Sequence, residues 1–161
     1  VEHLIEAIPE SAHLSVVGRS HDLEYFGFLQ KRAAGRPVEF VGDASDNVVV
    51  DLLSSAQVLV LPSVYEDFRG HRQELPELVG LVLLEAMACG TPVIAMPRGA
   101  MPELIDDGTS GYLVDDEQAA IDAIAKLGAL DRATVRGHVE ARFTHQRMVT
   151  AYESLYAQVT G

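Results

Sequence analysis

Two glutamates, Glu77 and Glu85, interrupt an otherwise apolar stretch, ELVGLVLLEAMACGTPVIA, at residues 77–95. A carboxylate is rarely buried in such a run unless something pairs with it, so each must find a partner or face outward. The stretch opens after a polar loop, EDFRGHRQEL, and the pattern from Leu81 to Ala88 is that of a helix closed by Gly90. Glu77 then stands at or before the helix start. The backbone N–H groups of Gly80, Leu81 and Val82 have no acceptor inside such a helix, and with the helix dipole they form an anion site suited to phosphate. Gly80 lets that backbone come close to a ligand. Glu85 lies about a turn and a half further on, where its carboxylate can accept two hydrogen bonds from a vicinal diol such as a ribose. Each glutamate also has a plainer reading, Glu85 as a solvated helix residue and Glu77 as a charge favoured by the dipole.

The elements that position these residues follow from hydrophobic patterning. Short apolar runs at 13–18, 38–42, 56–63, 91–96 and 111–114 are β-branched or Leu-rich and bounded by Gly or Pro, which predicts five strands. Helical spacing marks 1–8, 20–34, 46–55, 80–89 and 101–106 between them. Alternation of this kind predicts βαβ units, and strands without polar alternation predict a parallel sheet covered by helices on both faces. After Val114 the pattern is wholly helical, at 116–128, 131–141 and 144–159, the last with Met148, Tyr152, Leu155 and Tyr156 on one face. The expected organisation is one α/β domain, with a Rossmann-like sheet and helices over 1–115 and a helical tail over 116–161.

Composition narrows the function. The chain has 161 residues, 48% of them hydrophobic, and 12 Lys plus Arg against 24 Asp plus Glu. A net charge of −12 argues against a nucleic-acid or anionic-membrane partner. No run approaches the roughly 18 apolar residues of a membrane span, and the start lacks a signal-peptide pattern. One cysteine, Cys89, cannot form an internal disulfide and is expected as a buried thiol in a reducing, cytoplasmic setting. The six histidines show no metal-ligand spacing.

Open parallel sheets bind ligands at the carboxyl ends of their strands. Those ends read Gly18-Arg19-Ser20, Gly42-Asp43, Pro62-Ser63 and Pro97-Arg98-Gly99. GRSHDL lacks Gly-x-Gly-x-x-Gly spacing, which removes the usual nicotinamide fingerprint. Residues 77–95, with Glu-x7-Glu followed by EAMACGTPVIA, resemble the donor-site signature of the retaining nucleotide-sugar glycosyltransferases of group 1 (family 4). VVGRS, VEFVGDAS, AQVLVLPS, RGAMPELIDDGTSGYLV and ARFTHQRMVTAYESLY follow that family's order over nearly the whole chain. Glu66 and Glu74 share the spacing, and the downstream EAMACGTPVIA selects Glu77 and Glu85.

The resemblance implies one half of a GT-B fold, the carboxyl-terminal domain that binds a nucleoside-diphosphate sugar and works with an amino-terminal acceptor domain of the same polypeptide. By the same resemblance Glu77 would contact the transferred sugar as the catalytic residue, and Glu85 the ribose hydroxyls. Gly80, Leu81 and Val82 would offer amides to the diphosphate, while Gly42 to Ala44 and Pro62 to Ser63 would border the nucleobase. It implies no cofactor and no metal, because cationic side chains and helix amides neutralise the leaving diphosphate. The acceptor would be a sugar or other hydroxyl compound. In the family the cationic pair, an Arg and a Lys, precedes a helix like VEHLIEAIPES, and this sequence begins after that point. Alternatives are a non-catalytic nucleotide-sugar-binding module and a GT-B-type sugar-nucleotide epimerase.

The same comparison predicts a gap. In the order 3-2-1-4-5-6 the strand missing here is number 1, which would separate 14–17 from 57–61. An upstream segment of the same polypeptide, a donated strand or direct pairing of those two runs would each remove the gap. The first is expected.

Overall fold

The computed structural model describes residues 1–63, 69–70 and 78–160. They form two compact units, one built from 1–52 with 69–70 and the other from 53–63 with 78–160.

In the first unit, β1 (Leu14–Val17) pairs in parallel with β2 (Val38–Val41), Leu14 opposite Val38 and Val17 opposite Val41. Helix α1 (Glu2–Ala7) packs against α2 (Leu23–Ala33), and α3 (Asp46–Ser55) follows β2, its last residues from Leu53 on belonging to the second unit. Asp22 starts α2 by accepting a hydrogen bond from the Tyr25 amide at 3.0 Å, which satisfies one of the donors a helix start leaves open. Ile5, Leu29 and Ala33 form the core of this unit, with Leu14, Val38 and Phe40 of the strands packed against them.

In the second unit, β3 (Leu59–Leu61), β4 (Val93–Ala95) and β5 (Gly111–Leu113) make a parallel sheet in the order β3-β4-β5. Only β4 has a ladder on both edges among these strands, and it alone is buried at every position. Ile94 packs with Val114 and with Ala123 of α6 (Glu117–Lys126). Val93 and Ala95 alternate to the opposite face, and α4 (Leu81–Ala88) contacts β3 and β4. A short α5 (Met101–Leu104) and α7 (Arg132–Arg142) complete the unit, with α7 packed on α4. Asp116 and Asp131 cap α6 and α7 by accepting from Ala119 and Thr134, both at 2.8 Å.

Arg132 ties this unit together. Its guanidinium donates to the carbonyls of Ala56 at 2.8 Å and Ser54 at 2.7 Å, and to the Thr91 hydroxyl at 2.7 Å. The buried Thr91 hydroxyl in turn donates to the Leu53 carbonyl at 2.5 Å. Carbonyls at the end of α3, which have no partner inside the helix, are thereby satisfied.

The parallel α/β class is as expected, with several shorter elements. Residues 101–106 give a four-residue helix, and the helix expected over 116–128 ends at Lys126, where a 3-10 turn spans Leu127–Ala129 around Gly128. The last helix, α8 (His145–Thr160), keeps Met148, Tyr152, Leu155 and Tyr156 more than half exposed. Cys89 is half-buried rather than buried, because it caps α4, where its amide bonds the Ala86 carbonyl at 3.0 Å. Among the described residues no ladder joins β1 to β3, so Val16 and Val17 do not pair with Leu59 or Val60.

Candidate functional site

The residues singled out by sequence fall into two groups. Gly42 and Asp43 belong to the first unit, and Pro62, Ser63, Gly80, Leu81, Val82 and Glu85 to the second. Glu77, together with Glu66 and Glu74, lies outside the described residues.

The entrance of α4 is built around Gly80. Its φ of 72° and ψ of 46° are left-handed, a conformation that L side chains rarely adopt, and the turn directs the chain into the helix. A Cβ at this position would lie 2.7 Å from Met101 Cε and 2.9 Å from Met101 Sδ. Leu78 accepts a hydrogen bond from the Ala100 amide at 3.1 Å, so the loop after β4, which carries Arg98, is fastened to the segment that leads into α4. The Leu83 amide turns back to the Gly80 carbonyl at 2.9 Å. Leu81 and Val82 remain as first-turn residues whose amides have no carbonyl inside the helix to bond.

Glu85 is exposed, so its carboxylate is not buried in the apolar run that carries it. Leu81, Glu85 and Ala88 make the exposed stripe of α4, while Leu83, Ala86 and Met87 are buried completely. The four steps from Leu81 to Glu85 rise about 6 Å along the axis. Helical side chains lean toward the amino terminus, which directs Glu85 toward the turn that contains Leu81 and Val82. Leu78 and Leu81, at 61% and 62% exposure, give that entrance an apolar rim.

At the end of β3, Pro62 and Ser63 are half-buried, and the Ser63 amide closes a tight turn onto the Leu61 carbonyl at 3.0 Å. In the first unit, Gly42 and Asp43 line an open polar hollow with Arg19 and Ser20. Arg19 Nε donates to Asp43 Oδ1 at 2.6 Å. Sequence reading missed this pair, because it depends on the parallel register of β1 and β2.

Of the polar insertion 66–75, the structure describes Arg69 and Gly70. Arg69 donates to Asp22 Oδ2 and Glu24 Oε2, both at 2.8 Å, at the start of α2. The Arg69 hydrogen bond, joined by the Tyr25 amide, holds the Asp22 carboxyl below the usual carboxylate range. Among the described residues no group of three or more His, Cys, Asp or Glu side chains is placed to hold a metal ion. No described helix is long and apolar enough to cross a membrane.

Parallel strands with helices packed against them define a Rossmann-like α/β fold. Residues 1–129 match the family model of the group 1 glycosyl transferases, and the chain belongs to that family. It is 33% identical over 148 residues to the D-inositol 3-phosphate glycosyltransferase of Corynebacterium jeikeium, a match covering 86% of this chain and 32% of that protein. Sucrose-phosphate synthase from Thermosynechococcus elongatus superposes with a TM-score of 0.74 at 32% identity, over 99% of this chain and 42% of that one. An Anabaena protein crystallised with UDP-glucose shares the fold, with a TM-score of 0.69 at 21% identity over 94% and 44% of the two chains. The parallel sheets are those of GT-B glycosyltransferase structures. The chain spans between a fifth and a third of the length of the curated relatives it matches.

Proposed function

We propose that this chain is the donor-binding part of a retaining glycosyltransferase that moves a sugar from a nucleoside diphosphate to an acceptor hydroxyl. The observation that carries the reading is the face of α4, where open amides at Leu81 and Val82 stand one turn from the exposed Glu85. Membership of the glycosyltransferase group 1 family supports it, as does the shared fold of the Anabaena protein crystallised with UDP-glucose.

In this reading the amides at the α4 entrance take the diphosphate, and the helix dipole adds to their attraction for its charge. Glu85 accepts hydrogen bonds from the ribose 2′ and 3′ hydroxyls. Glu77 contacts the sugar that is transferred. Transfer proceeds without a metal, because fixed donors aimed at the leaving diphosphate stabilise the charge that develops there. The acceptor, a sugar or other hydroxyl compound, is held by an amino-terminal domain of the same polypeptide, and the enzyme works in the cytoplasm. Positioning of two substrates supplies several kcal/mol of barrier lowering in such reactions. The 161-residue chain by itself therefore binds donor without transferring it.

Calorimetric titration of the protein with nucleoside diphosphates and inorganic pyrophosphate tests the reading. Nucleoside diphosphates bind more tightly than pyrophosphate if base and ribose are both read. Equal affinities would contradict a nucleotide site. With an acceptor identified, NMR of the product gives the anomeric configuration; inversion would rule out the retaining course.

A further inference from the structure

Helix α5 is too short to hold itself, yet it supports the entrance of α4. It runs only from Met101 to Leu104 and includes a proline, which has no amide to donate, and isolated helices much longer than this are marginal in water. Two links join it to the entrance. The Ala100 amide donates to the Leu78 carbonyl at 3.1 Å, and Met101 stands against Gly80, where an added Cβ would lie 2.7 Å from its Cε. The other end of α5 is held from α7. His138 Nε2 donates to the Leu104 carbonyl at 2.8 Å and Arg142 Nη2 to the Glu103 carbonyl at 3.0 Å, which satisfies carbonyls that a helix end leaves open. Positions 138 and 142 are one turn apart, so both lie on one face of α7. That helix is itself fixed, by the Asp131 cap, by the three bonds of Arg132 and by the buried Val135 and Val139. Among the described residues the hydrogen bonds of His138 and Arg142 go to α5 alone.

We propose that His138 and Arg142 are positioning residues for the phosphates of the donor. The proposal rests on the donor-binding reading above and adds to it the frame that holds the phosphate end. A fixed helix, α7, holds a weak one, α5. Through Met101 and the Ala100–Leu78 bond, α5 holds the Gly80 turn, and that turn sets the direction in which the Leu81 and Val82 amides open. Hydrogen-bond donors fixed in advance stabilise charge because they need no rearrangement when it arrives, and a displacement of about 1 Å caused far from the site is costly. The effect passes through the amides and not through Glu85. It therefore falls on the phosphates of a ligand and not on its ribose.

The test is calorimetric titration of the protein and its variants with UDP and inorganic pyrophosphate, at a temperature where circular dichroism shows each variant folded. His138→Ala and Arg142→Ala each weaken both ligands by the same factor, about threefold to tenfold. His138→Gln, whose side-chain amide keeps an N–H donor, restores both affinities, and the Gly80 amide signal in NMR moves in His138→Ala and returns in His138→Gln. Arg132→Ala separates positioning from stability: its partners lie at the end of α3 and at Thr91, so it lowers the melting temperature and leaves both affinities unchanged. If His138→Ala does not fold, Arg142→Ala decides, since the Arg142 side chain is exposed. Unchanged affinities in Arg142→Ala and His138→Ala, or an equal weakening in Arg132→Ala, overturn the positioning role and leave the donor-binding reading standing. If the unaltered protein binds neither UDP nor pyrophosphate, the donor-binding reading fails and the positioning role falls with it.

Discussion

Replacing Gly80 with alanine tests how the entrance of α4 is set. The residue sits at φ 72°, where an L side chain costs about 1–2 kcal/mol. The new methyl would also stand 2.7 Å from Met101 Cε, 2.9 Å from Met101 Sδ and 3.1 Å from Leu83 Cδ1. Leu83 and Met101 are 0% and 1% exposed, so the methionine tip has to shift within the core to admit the methyl. Overpacking of this kind costs about 1–3 kcal/mol. The two contributions together predict a loss of about 2–5 kcal/mol in urea denaturation, and a fall in melting temperature of about 5–15 °C. The parts separate in a double-mutant cycle. In a Met101→Ala background the clash with the thioether is gone, and Gly80→Ala then costs only the backbone share of about 1–2 kcal/mol. Additive losses, with the double mutant within about 0.5 kcal/mol of the sum of the singles, would refute the claim that Gly80 is required by contact with Met101.

Arg132→Ala removes the donor to the carbonyls of Ser54 and Ala56 and to Thr91, and lowers stability in urea by about 1–3 kcal/mol, whereas an arginine without such bonds would leave it unchanged. Asp22 has a depressed pKa, so the stability it contributes is present above the ordinary carboxylate pKa and is lost as pH falls through the folded one. Arg69→Ala therefore raises the Asp22 pKa in a carboxyl NMR titration, and an unmoved titration would show that the ion pair does not form in solution. Tyr152→Ser and Tyr156→Ser each change stability by less than about 0.5 kcal/mol in urea, because both rings stand more than half exposed on α8.

The second unit was the more legible part of the molecule. GTPVIA reads as a buried strand because its apolar residues carry no polar alternation, and β4 does lie inside its sheet with every position buried. The helix after Gly80 was readable from composition and from the Gly that follows it, and its outer glutamate was identifiable as an oddity in an apolar run. Contacts distant in sequence were not legible. The Gly80–Met101 contact depends on how α4 and α5 enter the unit, and the Arg19–Asp43 pair on the register of two strands. Arg132 looks like any first-turn arginine until the end of α3 is placed beside it. Cys89 illustrates the opposite failure: small apolar neighbours suggested burial, but a residue that closes a helix stays partly open to solvent.

The central claim is that Glu85 reads the ribose of a nucleoside diphosphate whose phosphates lie at the start of α4. Its most direct test is a calorimetric cycle that pairs the protein and its Glu85→Ala variant with UDP and with 2′,3′-dideoxy-UDP. Hydrogen bonds to a charged acceptor are worth about 1.5–3 kcal/mol, so removing either the carboxylate or the diol weakens binding by about tenfold or more. Removing both weakens it no further, and the affinity of Glu85→Ala for inorganic pyrophosphate equals that of the unaltered protein. Independent losses that multiply in the doubly altered pair, or a Glu85→Ala variant that distinguishes UDP from its dideoxy analogue as well as the unaltered protein does, would contradict the assignment.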